Sequence, residues 1–391
     1  MKTVELFAGI GGFRLAADSC GFETVWANDQ CAKACNVYRT QFGAAELHQG
    51  DIWTLKDEIP PHHLLTAGFP CQPFSAAGKK QGIVDPRGTL FQAIVDVLRR
   101  KQPAFFILEN VKRLLTMDRG RHFATILACL AELDYDIEWR LLNAMHFGLP
   151  QNRQRVFILG TRRSEPQSVG QRSDDPPPIR LATTDDLRTF RRQDLDSIRT
   201  LDGWRSIDAH GRSFPNWGLA KRGRFYGVDL QEFSEALAPV RLRSVLESDV
   251  AASFDFTEST LERVKKNTMV EKFVQGVEIL SNQLGGARMG YTIFGIDGIA
   301  PTLTSTASRH YERYKIGDCY RRLTNVEYAR IQGFPDDHCA VAPVYDQYAL
   351  VGNAVPPPMV EWVMDKLASQ GVRRDEIRLK DRQRELFEHA G

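Results

Sequence analysis

Short apolar runs alternate with amphipathic stretches along the first third of the chain. The apolar runs predict strands at residues 3–7, 24–27, 64–67 and 105–109. The amphipathic stretches predict helices at residues 13–20, 31–42, 88–100 and 120–133. Because strands and helices alternate, we expect parallel strands with right-handed crossovers, in an α/β doubly wound sheet. Runs at residues 136–143 and 155–159 are expected to extend this sheet.

The pattern changes after Gly160. Residues 161–180 combine charges, serines and three consecutive prolines, which is typical of a linker. From about residue 181 to 320 the alternation is lost, and glycines and aromatic residues recur beside Arg or Lys. This texture indicates a smaller, irregular second domain built for contact. Helices are predicted again from 323 to 333 and over 352–367, and the charged tail at 373–390 is either a surface helix or a frayed end.

Composition restricts the class of protein. The chain has 391 residues, of which 42% are hydrophobic and 26% charged, as in soluble globular proteins. It contains no run of about 18 apolar residues and no signal-peptide pattern, so we expect a cytoplasmic protein that avoids membranes. Seven cysteines without a CxxC pair argue against a structural zinc site. The net charge of +2 still leaves room for a local basic groove that binds nucleic acid.

A glycine-rich turn with the sequence FAGIGG, at residues 7–12, follows the first predicted strand. Such a turn lets the backbone approach a ligand closely, although it also serves NAD, FAD or plain tight packing. Asp29, at the end of the second strand, can accept hydrogen bonds from ribose hydroxyls, and Asp51 from an adenine amino group. Phe7 and Ile52 could enclose the adenine ring. The spacing therefore fits an adenosine-containing ligand without choosing the cofactor.

Cys71 lies on a polar loop between two prolines, directly after the strand at 64–67. Ligand chemistry in a doubly wound sheet occurs at the carboxyl ends of the strands. A free thiol has a pKa near 8.5, so only about 3% is thiolate at pH 7. Cys71 is a candidate nucleophile, with a small buried apolar residue as the alternative.

Glu109 ends the apolar strand at 105–109, where desolvation would raise the pKa of its carboxyl group. It could then share a proton with a ring nitrogen, or act only as a strand-end cap. Arg153 and Arg155 lie two residues apart in an extended segment, so their side chains point the same way. They could hold a carbonyl oxygen and a phosphate, or form a solvated face.

Taken in order, these segments resemble the DNA (cytosine-5)-methyltransferases. The resemblance covers about residues 1–160 and 320–367, and the order and spacing of its PCQ and ENV motifs are highly specific. Its motifs are ELFAGIGGFRLA at 5–16, ND at 28–29, GDI at 50–52, GFPCQPFS at 68–75, RGTLF at 87–91, LENV at 108–111, QNRQR at 151–155, RLT to GFP over 322–335, and GNAV at 352–355.

The resemblance implies a catalytic role for Cys71, Glu109, Arg153 and Arg155. Cys71 would add to C6 of cytosine, which makes C5 nucleophilic. Glu109 would hydrogen-bond N3 and the exocyclic amine, Arg155 would hold O2, and Arg153 would support the pocket or the loop. C5 would then take a methyl group from S-adenosylmethionine, and no metal is involved.

The same resemblance implies a cofactor site for S-adenosylmethionine. Gln30 stands where many relatives have an aromatic residue against adenine, and Ala354 stands where a Ser is common. Neither departure touches the methyl-transfer residues. The residues expected to contact the cofactor are Phe7, Ala8, Gly9, Ile10, Gly11, Gly12, Asp29, Asp51, Ile52, Pro70, Leu90, Asn353 and Ala354.

The implied substrate is a specific double-stranded DNA sequence whose target cytosine is flipped out of the helix. We expect a catalytic, cofactor-binding domain at 1–165 plus 345–391 and a target-recognition domain at 166–344. The enzyme would be monomeric and belong to a restriction–modification system with a cognate endonuclease, or be an orphan or phage methyltransferase. Expected DNA contacts are Ser75, Arg87, Arg288, Thr302, Leu303 and Arg309, with His310 and Arg313 as further candidate readers.

Three other readings stay open at this point. A tRNA cytosine methyltransferase of the same fold would tend to have a shorter recognition region than the insertion here. A non-catalytic relative would be expected to have lost Cys71 or the glycine turn, and both are present. A nicotinamide dehydrogenase would explain the glycine turn but not the PCQ and ENV segments.

Overall fold

The computed structural model describes residues 1–70, 90–163, 177–231, 233–265, 268–282, 292–304 and 313–368. Ten strands of these residues form one large sheet: β1 (Lys2–Leu6), β2 (Glu23–Asp29), β3 (Leu47–Gln49), β4 (Leu64–Gly68), β5 (Phe105–Val111), β6 (Tyr135–Asn143), β7 (Gln154–Arg162), β8 (Arg205–Ser206), β9 (Trp217–Lys221) and β10 (Arg224–Val228). Their order across the sheet is β3-β2-β1-β4-β5-β7-β6-β9-β10-β8.

The first five strands are parallel, as the alternating pattern predicts. The chain starts at β1 in the middle, moves to β3 at one edge and then crosses to β4, so the direction of winding reverses between β1 and β4. Ligands bind at such a switch point, beyond the carboxyl ends of the strands. β6 and β7 extend the sheet as expected, but β7 is antiparallel to both neighbours. The segment 144–153 between them is too short for a parallel crossover.

Helices cover both faces of the sheet. α4 and α5 contribute Phe91, Leu98 and Phe123 to an apolar layer on one face, whereas α1 and α11 contribute Phe13 and Val363 on the other. The helices of the described residues are α1 (Gly12–Ser19), α2 (Ala32–Phe42), α3 (Ile52–Leu55), α4 (Leu90–Lys101), α5 (Arg121–Ala131), α6 (Thr184–Arg188), α7 (Arg192–Thr200), α8 (Glu258–Lys265), α9 (Asn325–Gln332), α10 (Val344–Asn353) and α11 (Pro357–Ala368).

The single helix predicted over 352–367 is wrong. Gly352 and Asn353 end α10, Ala354 is extended with ψ of 151°, and α11 begins at Pro357. Pro356 and Pro357 lack amide hydrogens and disfavour helical geometry in the residues before them, so the chain breaks there. The break leaves Asn353 at the end of α10 and places Ala354 in the loop that follows.

A second sheet lies in the region that the sequence pattern indicated to be irregular. Within the described residues it has five strands, in the order β11-β12-β13-β14-β15. The region 166–344 also supplies β8, β9 and β10 to the large sheet, so the division into two domains stays a prediction. The strands of the second sheet are β11 (Thr268–Val274), β12 (Val277–Asn282), β13 (Ile293–Phe294), β14 (Arg313–Ile316) and β15 (Cys319–Arg321).

None of the helices in the described ranges is long and apolar enough to cross a membrane. Those ranges also hold no group of three or more His, Cys, Asp or Glu side chains arranged to bind a metal ion. The charged tail at 373–390 lies outside the described residues.

Candidate active site

The first strand ends in a turn whose backbone faces a cleft. Phe7 and Gly9 both have φ of 56°, in the left-handed region. The amide of Gly11 donates to the carbonyl oxygen of Ala8 at 2.9 Å, which closes the turn before α1 begins at Gly12. A Cβ built on Gly9 would meet no atom within 4 Å, so this position leaves the backbone open toward the cleft.

Asp29, at the carboxyl end of β2, holds this turn in place. Its Oδ2 accepts a hydrogen bond from the amide of Gly9 at 2.7 Å, and its Oδ1 accepts one from the amide of Cys31 at 2.7 Å. Each carboxylate oxygen keeps a second lone pair, and Asp29 lines the cleft. The residue predicted to bind ribose hydroxyls therefore also organises the turn.

The segment after β4 is held against the end of β5. The buried Asn110 side chain donates from Nδ2 to the carbonyl oxygen of Phe69 at 2.8 Å. The next residue, Pro70, lines the cleft. Cys71 follows Pro70 in the chain and lies outside the described residues.

Glu109 and Arg155 form an ion pair at the edge of the cleft. Arg155 Nε lies 2.8 Å from Glu109 Oε1, and the two side chains are 11% and 12% exposed. Burial raises the pKa of Glu109, while the positive charges of Arg155 and Arg153 oppose that rise. The alternative of a solvated arginine face is excluded, because Arg155 and Arg153 as whole residues are only 9% and 1% exposed.

Arg153 joins two distant backbone segments through three carbonyl oxygens. Its Nη1 donates to the carbonyl oxygen of Leu303 at 2.8 Å, and its Nη2 donates to those of Gly352 and Ala354, each at 2.9 Å. Burial lowers the pKa of this guanidinium well below its usual value. The geometry fits the expected support of the pocket, and a direct part in catalysis stays a prediction.

Thr302 and Leu303 use their polar groups within the protein. Thr302 Oγ1 donates to the carbonyl oxygen of Asn152 at 2.5 Å, and the Leu303 amide donates to Oε1 of Gln151 at 3.1 Å. The Leu303 side chain is 1% exposed and belongs to the apolar core. The DNA contacts predicted for Thr302 and Leu303 stay predictions.

These elements surround one cleft of about 430 Å³ near the carboxyl ends of β1, β4 and β5. The acid–guanidinium pair and the glycine turn share this space. The predicted catalytic residues that line it are Glu109, Arg153 and Arg155. The predicted cofactor residues that line it are Phe7, Ala8, Gly9, Ile10, Gly12, Asp29, Pro70, Asn353 and Ala354.

Four predicted cofactor residues stand apart from this lining. Asp51 caps α3 by accepting the amide of Trp53 at 3.0 Å, and Ile52 is buried beside it. Leu90 is the first residue of α4, and Gly11 packs on Phe42. Their roles toward a cofactor stay predictions.

Most of the predicted DNA-contacting residues lie outside the described ranges. Arg313 is described, and its guanidinium lies 5.8 Å from the centre of the Phe256 ring. The predicted residues outside the described ranges are Cys71, Ser75, Arg87, Arg288, Arg309 and His310.

Sequence reasoning missed buried polar residues that support the site. Gln332 Nε2 donates to the carbonyl oxygen of Ala354 at 2.6 Å, and Gln151 Nε2 donates to Gln332 Oε1 at 2.6 Å. His338 donates to the glycine turn. Asn110 carried a signal, because it is a polar residue directly after an apolar strand. Gln332 and His338 carried none, since their partners are distant in the chain.

Solved structures show the same fold. The crystal structure of S. pombe Dnmt2 methyltransferase superposes with a TM-score of 0.61 at 18% identity, covering 96% of this chain and 100% of that chain. The Entamoeba histolytica methyltransferase EhMeth superposes with a TM-score of 0.57 at 15% identity, covering 95% and 98%. The chain therefore shares the α/β fold of these two solved structures.

Comparisons of the sequence with known proteins show the family of the chain. A family model for C-5 cytosine-specific DNA methylases matches residues 1–369. The Type II methyltransferase M.BanI of Aneurinibacillus aneurinilyticus is 33% identical over 423 residues, covering 95% of this chain and 96% of the relative. M.NgoBI of Neisseria gonorrhoeae is 33% identical over 361 residues, covering 92% and 90%. The chain belongs to the C-5 cytosine-specific DNA methylase family, and it is an enzyme that methylates DNA.

Proposed function

We propose that this enzyme transfers a methyl group from S-adenosylmethionine to C5 of a flipped-out cytosine in a specific double-stranded DNA sequence. The reaction proceeds through a covalent bond between Cys71 and C6 of the base. The modification role in a restriction–modification system is supported by relatives named Type II methyltransferases. Recognition of the DNA sequence is assigned to residues 166–344.

One observation carries the proposal. A single cleft is lined by the glycine turn, by Pro70 and by the Glu109–Arg155 pair. Cys71 is bonded to Pro70, so the mechanism requires only that its side chain turns toward this cleft. This chemistry needs a nucleophile, an acid and a cation beside the methyl donor, and Glu109 and Arg155 provide the acid and the cation in the cleft.

The residues present fit S-adenosylmethionine. The turn leaves Gly9 open toward the cleft, which a ligand can approach without meeting a side chain. The carboxylate of Asp29 offers free lone pairs at the end of β2, where ribose hydroxyls would be held. When bound, S-adenosylmethionine supplies an activated methyl group on its sulfonium sulfur.

Each protein group has a defined task. The Cys71 thiolate forms a bond to C6, and the electron pair displaced from the C5–C6 double bond is drawn into the ring toward N3. Glu109 donates its proton to N3, and Arg155 stabilises the negative charge on O2. C5 becomes nucleophilic and accepts the methyl group. A water molecule then takes the C5 proton, and the electron pair of that C–H bond forms the C5–C6 double bond again as the bond between sulfur and C6 breaks. Cys71 leaves as a thiolate, and N3 returns its proton to Glu109.

The covalent step is tested by trapping the enzyme on duplex DNA that contains 5-fluorocytosine, with S-adenosylmethionine present. Fluorine replaces the proton that must leave C5, so the adduct persists. We expect a covalent complex with the native enzyme and none with Cys71→Ala. Cys319→Ala, which removes an exposed free thiol of the second sheet, is the matched control and should still form the complex. An adduct that persists in Cys71→Ala would refute the covalent mechanism.

The substrate is tested separately. Methylation of duplex DNA and of tRNA is compared with the same enzyme preparation, and we expect incorporation into DNA alone. Bisulfite sequencing of DNA from expressing cells then identifies the modified cytosine and its flanking sequence. Methylation at unrelated positions would contradict a sequence-specific modification enzyme.

A further inference from the structure

A buried histidine that does not line the cleft contacts the glycine turn. His338 Nε2 lies 2.7 Å from the carbonyl oxygen of Ile10, the central residue of the turn. His338 is fully buried and Ile10 is 1% exposed. Ile10 lines the cleft, so a bond to its backbone acts on the surface that a ligand would meet.

The chemistry of this contact determines the state of the ring. A carbonyl oxygen can only accept, so Nε2 must carry the hydrogen. Nδ1 is buried and has no hydrogen-bond partner among the described residues. Burial lowers the pKa of His338, which favours the neutral ring. A neutral imidazole with one hydrogen, on Nε2, supplies the single donor that Ile10 requires.

His338 is itself held firmly. Its ring packs against Phe334 and Phe42, with centroids 4.7 Å and 6.0 Å apart. Gln41 in α2 donates to its carbonyl oxygen at 2.9 Å. The histidine therefore connects α2 and the segment after α9 with the glycine turn.

The same aromatic support lies beneath the next residue of the turn. A Cβ built on Gly11 would collide with the ring of Phe42. A Cβ built on Gly12 would lie 2.5 Å from the carbonyl oxygen of Val355, in the loop that follows Asn353. The turn is therefore clamped between the His338–Phe42 pair and the loop at 353–356.

We infer that His338 is a positioning residue for the methyl-donor site: its hydrogen bond to the Ile10 carbonyl holds the glycine turn in the conformation that receives S-adenosylmethionine. The inference rests on the proposed function for the identity of the ligand. Its effect on the turn itself is independent of that identity. The sequence offers no direct sign of this role, because residues 10 and 338 are far apart in the chain.

Two variants separate hydrogen bonding from packing. His338→Phe keeps an aromatic ring between Phe334 and Phe42 but removes the donor. His338→Gln places an amide donor near the position of Nε2 and restores the bond. His210→Phe is the matched control, because His210 is also buried among aromatic rings but lies far from the turn, at the other end of the large sheet.

The first measurement is hydrogen–deuterium exchange of the ligand-free enzyme over residues 7–13. We expect exchange to be at least about 10-fold faster in His338→Phe, since about 1.4 kcal/mol corresponds to a factor of ten and an unpaired buried carbonyl costs at least that order. His338→Gln should return it toward the native rate, and His210→Phe should leave it unchanged. Native exchange in His338→Phe would overturn the inference.

The second measurement is calorimetric binding of S-adenosylmethionine, with KM and kcat for methyl transfer. We expect about a 10-fold weaker affinity and a higher KM in His338→Phe, with kcat within about twofold and recovery in His338→Gln. Equal affinity in the native enzyme and His338→Phe would overturn the inference. No binding by the native enzyme would instead overturn the proposed function, and the exchange result would still decide the role of His338 in the turn.

Discussion

The Nε atom of Arg155 lies 2.8 Å from Oε1 of Glu109, between adjacent antiparallel strands of the large sheet. Burial and this ion pair act on Glu109 in opposite directions. Burial raises the pKa of the carboxyl group, and the guanidinium lowers it. Glu109 can therefore keep its proton to higher pH than a free glutamate. The positive charge of Arg155 lies beside it and would face the same cytosine.

Replacing Arg155 by Gln should change both the rate and its pH dependence. Loss of the cation lets burial dominate, so the pKa of Glu109 rises further and its acid form persists to higher pH. We expect kcat/KM to fall about 100-fold. We also expect the alkaline limb of its pH profile, which reports loss of the Glu109 proton, to move to higher pH. The measurement is a pH profile of kcat/KM for DNA methylation. Arg162→Gln, at the exposed far end of β7, should leave the profile unchanged, and an unmoved limb in Arg155→Gln would contradict the assignment.

Arg153 is expected to matter for stability. Arg153→Lys keeps a positive charge but cannot reach the carbonyl oxygens of Leu303, Gly352 and Ala354 together. Unpaired buried carbonyls should lower the free energy of unfolding by about 3 kcal/mol. Urea denaturation of the two proteins measures the difference. Arg162→Lys is the control, at the far end of the strand that follows Arg153. A loss of stability as small as that of the control would show that the three hydrogen bonds contribute little.

Gly9 and Gly43 form a matched pair for the cofactor site. Both have positive φ, 56° and 89°, and a Cβ on either would meet no atom within 4 Å. Alanine at each site should lower stability by about 1 to 3 kcal/mol through backbone strain. Only Gly9→Ala places a methyl group in the cleft, so only that variant should bind S-adenosylmethionine about 10-fold or more weakly in calorimetry. Equal affinity in both variants would remove the turn from the cofactor site.

Glu5 makes the stability depend on pH. Burial raises the pKa of this β1 carboxyl group from 4.5 to about 8, although Tyr38 and Arg14 oppose the rise. The neutral form is favoured in the folded state, so its contribution is complete below pH 4.5 and is lost as the pH rises toward 8. Glu5→Gln removes this dependence.

The variant should therefore gain stability relative to the native protein by about 3 kcal/mol between pH 4.5 and pH 7. Urea denaturation of both proteins at the two pH values measures the gain. A constant difference between them would show that the pKa of Glu5 is not raised in the folded protein.

Part of the fold and of the site could be predicted from local patterns. The runs that become β1, β2, β4 and β5 are largely apolar, so their identity and parallel direction follow from the alternation with amphipathic helices. Gly9, Asp29 and Glu109 could be found because each stands directly after such a run. Strand direction at β7 depended on the length of a connection instead, and the helix predicted over 352–367 failed because consecutive prolines outweighed its apolar spacing.

The sequence by itself determined the family chemistry and the parallel half of the sheet, since motif order and residue spacing are local properties. The tertiary structure decided which polar groups support the site. Arg153 is paired with carbonyls about 150 and 200 residues away, and His338 with a turn 328 residues earlier. A buried polar side chain must find a partner wherever the fold places one, and no local pattern specifies that partner.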